Sequence, residues 1–304
     1  MAAKGAQALP IVDAHHHIWD LELKAHPWLV TPPFRPARYG DSTPIRRSYL
    51  PADYREDIRR FNVVKTVYVE AEWNPADPIA ETRWVHAIAA RHGLPDAMVA
   101  QAWLDRANAA EVLAQQASFP LVRSVRHKPA SATRRQDAKR GAPGSMDCPK
   151  WRDGYSLLSR HKLHFDLQTP WWHLDAAAEL ARDFPATTII VNHTGLPADR
   201  SPEGLAGWRS ALELLAQQSN VVLKISGLGV PGRQWTPELQ GAVVRDAIRI
   251  FGADRAMFAS NFPVDSLVAT FDEIYGSFLE ITRDLPDDVR RKLFHDNAER
   301  IYRL

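Results

Sequence analysis

Cysteine is nearly absent from this chain: Cys148 is the only one among 304 residues. That excludes an intrachain disulfide and a thiolate-rich zinc cluster, and it fits a reducing compartment. An excess of either charge is missing too. The 38 Lys and Arg face 36 Asp and Glu, for a formal net charge of +2, a balance that suits neither a nucleic-acid surface nor a basic membrane-binding helix. No apolar run reaches the length needed to cross a bilayer, and the opening MAAKGAQALP lacks a continuous apolar signal core. These absences predict a soluble, cytoplasmic protein acting on a small molecule, with no nucleic-acid or membrane partner; they leave the oligomeric state open.

Short β-branched or apolar runs recur along the chain, and no low-complexity linker divides it. Strands are expected at 10–14, 63–71, 97–102, 121–126, 163–168, 187–192, 220–226 and 255–260. Amphipathic stretches at 52–61, 78–92, 108–118, 151–161, 173–184, 202–218, 237–251 and 267–283 read as helices between and after them. Eight such units predict an α/β fold, a single-domain (β/α)8 TIM barrel over 1–304. The alternative is an open doubly wound sheet, whose dinucleotide-binding form is disfavoured because no Gly-x-Gly-x-x-Gly turn follows the first strand. A loop insertion at about 20–49, Pro-rich from 26 to 44, reads as a lid or a rigid strap over the site. The stretch at about 128–148 has neither periodicity nor apolar content and reads as a mobile loop.

A barrel places reactive side chains at the C-terminal ends of its strands. Polar residues gather at those ends: His15 and His17 in VDAHHHIWD, then Arg126 and His127, Asp166 and Gln168, Asn192 and His193, Lys224, and Asn261. Alternate residues of a strand share a face, so His15 and His17 are expected to point together, an arrangement suited to a metal or a developing charge. Lys224 sits among apolar neighbours, so it is expected to face inward as a contact for a substrate anion. Trp19, Trp28, Trp73, Trp171 and Trp172 fall in loops after strands; Trp172 and His173 are the pair assigned to the pocket wall.

The segments VDAHHHIWDL, HPWL, LVRSVRHKP, WRDGYSLLSRHKLHFDLQ, TIIVNHTGLP, VVLKISGL, FGADRAMFASNFPVD and FHDNAERIYRL, in this order and spacing, resemble the amidohydrolase-related family that includes sugar-acid lactonases and 2-pyrone-4,6-dicarboxylate hydrolase. The resemblance implies a barrel enzyme that hydrolyses a lactone ring or related carboxylic ester, with a divalent metal (zinc or manganese) in some members and without one in others. It implies that His15 and His17 bind metal or contact the substrate carbonyl. His193 would be a third metal ligand, a carbonyl-polarising group or an acid for the leaving alkoxide. Arg126 and His127 match a basic pair, in which a guanidinium grips a substrate carboxylate or else forms an internal salt bridge.

The chain departs from the family at strand eight, where Asn261 stands in place of an aspartate. An amide cannot take a proton from water. Asp265 as a displaced base, a histidine or metal-bound hydroxide in its place, or a reaction other than hydrolysis remain as accounts. The alternatives to a lactonase are a decarboxylase or hydratase of a small unsaturated or aromatic acid, and a non-catalytic relative that binds a small molecule.

Overall fold

The computed structural model describes residues 9–34 and 38–304. Residues 1–8 of the opening segment and 35–37 of the Pro-rich insertion lie outside the described residues. Eight strands, β1 Ile11–His16, β2 Val63–Val69, β3 Ala97–Gln101, β4 Val122–Arg126, β5 His164–Leu167, β6 Ile189–Val191, β7 Val221–Ile225 and β8 Ala256–Phe258, form one sheet in chain order. All seven neighbouring pairs are parallel. The chain after β8 returns to β1: the Asn261 amide donates to the His15 carbonyl at 2.8 Å, and the His17 amide donates to the Phe262 carbonyl at 2.6 Å. The sheet is thus nearly closed, and the architecture is the single-domain (β/α)8 barrel rather than an open sheet.

Strands of such a sheet are covered on both faces, which is why they read as apolar runs rather than alternating ones. Val12, Ala14, Val67, Val69, Val99, Ile190, Val222 and Met257 fill the barrel interior, where Ile301 and Tyr302 of the C-terminal helix pack against them. The outward residues join the helices in a larger surrounding core. Those helices are α1 Pro27–Val30, α2 Pro51–Ile58, α3 Pro78–His92, α4 Ala109–Ser118, α5 Pro149–Ser156, α6 Leu174–Asp183, α7 Pro202–Ala216, α8 Pro237–Phe251, α9 Phe271–Ile281, α10 Asp287–Arg291 and α11 Asn297–Tyr302. Several starts are legible in the sequence. Asp77, Ser201 and Thr236 each precede a proline and accept the amide of Ala80, Gly204 and Leu239; a proline at the first helical position gives up no needed donor. Among the described residues no helix is long and apolar enough to cross a membrane.

The insertion at 20–49 is strapped to the barrel. The Trp28 indole donates to the Ala71 carbonyl at 2.8 Å, the Asn74 amide donates to the Ala25 carbonyl at 2.7 Å, and Trp19 and Tyr49 exchange backbone bonds. The 128–148 segment, for which mobility is expected, is pinned as well. Ala132 donates its amide to His173 Nε2 and accepts the Trp172 indole, while Arg140 pairs with Asp147, Asp175 and Glu179.

Candidate active site

A cavity of about 560 Å³ opens where the strands end, lined by His17 after β1, Ala71 and Glu72 after β2, Arg126 at the end of β4, Gln168 after β5, His193 after β6 and Asn261 after β8. The strap supplies much of the remaining wall through Trp28, Thr31, Pro32, Pro33 and Arg38, and Lys128 and Val264 also line it.

The aim of the first-strand histidines depends on a bulge. Asp13 pairs with Thr66 and His16 with Tyr68, so β1 advances three residues while β2 advances two. The extra residue reverses the parity of the strand. Val12 and Ala14 face the interior below the bulge. Above it His16 points outward, stacked on Tyr54 with ring centroids 4.3 Å apart, and His15 and His17 point inward. Their Nε2 atoms are 3.2 Å apart.

His17 Nδ1 lies 2.7 Å from the Val69 carbonyl oxygen. Burial, reinforced by the Arg126 charge, holds its imidazole neutral, with basicity well below the ordinary value. The proton therefore sits on Nδ1, and Nε2 presents a lone pair. That lone pair meets His15 Nε2 and, at 3.3 Å, Asn261 Oδ1. His15 is likewise held neutral, by burial and the Lys224 charge. His193 lies beside His15, its ring centroid 4.7 Å from that of His15 and its Nδ1 3.0 Å from Ser226 Oγ. Burial and the Arg38 charge keep it neutral too.

The donor set fits a divalent ion. Two nitrogens bound to a near-tetrahedral zinc at about 2.05 Å stand about 3.3 Å apart, close to the observed 3.2 Å. The carbonyl behind His17 is the outer partner that such a ligand uses. His193 does not complete a tight trio with them. Among the described residues the only three His, Cys, Asp or Glu side chains with mutually close donor atoms are His295, Asp296 and Glu299, none of which lines the cavity.

Asp265 is buried behind Asn261 and is absent from the cavity wall. Its Oδ1 accepts the Asn261 amide and, at 3.0 Å, the Tyr39 hydroxyl. An acceptor at the nitrogen end of Asn261 turns the oxygen end toward His17. Burial pushes the Asp265 carboxyl up to about 6, against the pull of Arg38. Both Asn261 (φ 58°) and His193 (φ 54°) occupy the left-handed region, as does the β-branched Thr194 (φ 57°). Non-glycine residues held there concentrate at functional sites because the fold must over-determine them.

The expected anion contacts are placed differently. Lys224 does face inward, but its Nζ bonds Asp166 Oδ1 at 2.7 Å and both side chains are 0% exposed. Asp166 also accepts from Tyr302 and Asn192. The ammonium needed compensation in the interior, and a strand carboxylate supplies it below the cavity. Arg126 lines the cavity while donating from Nε to Glu70 Oε1 at 2.5 Å, the internal salt bridge rather than an open guanidinium fork; another N–H reaches Gln168 at 3.2 Å. His127 Nδ1 accepts the Leu104 amide and the Trp151 indole. Trp172 and His173 hold the 128–148 segment and do not line the cavity. Trp19 and Trp28 take the wall position instead.

Arg38 brings a further cation to the cavity, donating to the Gly227 carbonyl at 3.3 Å and lying over the Tyr39 ring at 5.7 Å. A lone arginine in FRPARYG gives no sequence signal of this. Glu70 and Glu72 were missed as well; their place directly after the apolar run of β2 was the signal that could have found them.

Comparison with known proteins agrees with the fold. A family model described as amidohydrolase matches residues 12–304. The chain is 39% identical to the uncharacterized protein y4mH of Sinorhizobium fredii, over 97% of this chain and 99% of that protein. It is 28% identical to an L-fucono-1,5-lactonase of Burkholderia ambifaria, over 96% and 95% of the two chains. An amidohydrolase from Burkholderia multivorans, crystallised with zinc, superposes with a TM-score of 0.78 at 24% identity over 97% of this chain and 99% of that one, which shows the shared fold. With a nearly closed barrel, inward histidines at the ends of its strands and a family match over almost its whole length, this chain belongs to the amidohydrolase family.

Proposed function

We infer that the protein opens a lactone, the cyclic carboxylic ester of a sugar acid or of an intermediate of aromatic degradation, by attack of water on the carbonyl carbon. One observation carries this reading: at the strand ends that line the cavity, His17 Nε2 lies 3.2 Å from His15 Nε2 and 3.3 Å from the Asn261 carboxamide oxygen, with the His193 ring 4.7 Å from that of His15. The L-fucono-1,5-lactonase relative supports the substrate class.

His15 and His17 would hold a divalent ion, zinc or manganese, which when bound polarises the carbonyl and makes water more acidic. The chain's own groups do the rest. Arg38 holds the hydroxylated or anionic end of the lactone. Neutral His193 takes the proton of the attacking water as the new C–O bond forms. Its low basicity makes the resulting imidazolium a strong acid, which returns the proton to the ring oxygen as the old C–O bond breaks. Asp265 orients Asn261 and stays out of contact with substrate.

The test is a panel of sugar-acid and aromatic-pathway lactones, offered to metal-free and zinc- or manganese-loaded protein, with acid release followed by an indicator. Ring opening that drops at least about a hundredfold in His193→Ala is expected. Release of carbon dioxide from unsaturated or aromatic acids instead would replace hydrolysis by decarboxylation, which the missing strand-eight carboxylate leaves available. Tight binding without turnover would identify a non-catalytic relative.

A further inference from the structure

The lysine and arginine residues of the cavity wall are Arg38, Arg126 and Lys128. Two of these cations are matched to carboxylates by a ladder of two rungs between the chain after β2 and the end of β4. In the lower rung Arg126 Nε donates to Glu70 Oε1 at 2.5 Å, the two side chains being 3% and 4% exposed. The other Arg126 nitrogens are taken up by the Glu70 carbonyl and by Gln168. In the upper rung, two residues further along both segments, Lys128 pairs with Glu72. These side chains are 36% and 50% exposed, and both residues line the main cavity as well as a smaller chamber of about 240 Å³ beside it.

Stability does not account for the upper rung. An ion pair this exposed contributes little to folding, yet Glu72 occupies the left-handed region (φ 57°), which disfavours a side chain of its kind. Its amide donates to Glu70 Oε2 at 2.8 Å, so the buried rung fixes the backbone that carries the exposed one. The consequence is electrostatic. A cleft whose cations are unopposed draws in anions of high charge; here Glu72 cancels Lys128 as Glu70 cancels Arg126. Among the described residues Arg38 is the one cation of the three that makes no ion pair: its charge acts on the buried Asp265 carboxyl, but its hydrogen bond goes to the Gly227 carbonyl. A ligand with one carboxylate therefore finds a partner. A second carboxylate would be desolvated against ion pairs already closed, beside Glu72 itself. A hydroxyl meets no such penalty at the upper rung, because it donates to a carboxylate and accepts from an ammonium at once.

We propose that Glu72 is a specificity-determining residue: by cancelling the Lys128 charge on the cavity wall it restricts the substrate to a hydroxylated lactone bearing at most one negative charge, and turns dicarboxylates away. That the substrate is a lactone rests on the reading above; the selection between one charge and two does not.

Adipate and hexanoate have chains of the same length and differ by one carboxylate, and their flexibility lets them adapt to the spacing of the cations. Their binding to the full-length protein is measured by calorimetry at neutral pH, with a chelator present so that no bound ion adds a positive charge. The proteins compared are the natural chain, Glu72→Gln, and Glu72→Gln combined with Lys128→Gln. The natural chain is expected to bind adipate no more tightly than hexanoate. In Glu72→Gln the ratio should move at least about tenfold in favour of adipate, and in the double variant it should fall back. Glu72→Asn, a residue at ease in the left-handed region, repeats the result should Glu72→Gln not fold. A natural chain that already prefers adipate about tenfold, adipate that does not bind Glu72→Gln, a ratio that this variant leaves unmoved, or a gain that survives the loss of Lys128 overturns the proposal. The expected ratios in a protein that opens no lactone retain the charge selection and remove the lactonase reading; lactone opening with an unmoved ratio does the reverse.

Discussion

Replacing Asp265 by asparagine separates the cost of burying a carboxylate from its use. The carboxyl is fully buried and is pushed up to about 6 from an ordinary 3.8, a difference equivalent to about 3 kcal/mol. Because the folded chain holds this proton more tightly than the unfolded one, the group's favourable contribution is complete below about pH 4. It is lost as pH rises through about 6 and is flat above that. Asparagine does not titrate. The stability of Asp265→Asn relative to the natural chain should therefore climb by up to about 3 kcal/mol between about pH 4 and pH 8. Any loss from the new amide's extra N–H is independent of pH and leaves the slope untouched. Urea unfolding of both proteins across that range measures the difference directly, with all other titrating groups cancelling. A difference that does not change with pH refutes the argument. One that falls instead would mean that Arg38 outweighs burial and holds the carboxylate ionised. Since an amide at 265 still offers an oxygen to Asn261 and Tyr39, the variant should also lose less turnover than His193→Ala.

Three other outcomes are expected. Lys224→Met leaves Asp166 buried with only Tyr302 and Asn192 as donors, and should cost about 3–5 kcal/mol in denaturant unfolding. Lys224→Met with Asp166→Asn should recover much of that, while a change in preference between anionic and neutral lactones would return Lys224 to the site. Arg38→Gln should raise KM for anionic lactones about tenfold with little change for neutral ones, measured by initial rates; equal effects on both would remove Arg38 as the anion contact. His17→Ala should abolish stoichiometric zinc binding by calorimetry, and retention of it would move the metal away from the first strand.

The eight strands and the helices between them were legible in the chain because each carries its own signal. Apolar runs mark strands buried on both faces, and Asp77, Ser201 and Thr236 before proline mark helix starts. The barrel then dictates that residues at strand ends meet, which is why His15, His17, His193 and Asn261 could be grouped from their positions alone. Which way each side chain's bonding capacity points is a different matter. Strict alternation would place Val12, Ala14 and His16 on one face, and only a one-residue bulge against β2 turns His15 and His17 inward. Lys224 read as an open cation and Arg126 as either a substrate fork or an internal salt bridge, and their partners are distant: Asp166 lies 58 residues from Lys224 and Glu70 lies 56 from Arg126. Pairing at such separations is set by strand register, which no local pattern encodes. The same holds for Arg38, delivered to the cavity by a strap whose path follows its docking on Ala71 and Asn74. Composition and periodicity thus determined the barrel and the ring of candidate residues, because those depend on local burial and chain order. Tertiary packing decided which of them stay free for chemistry, because each buried charge had first to be compensated by a partner distant in the chain.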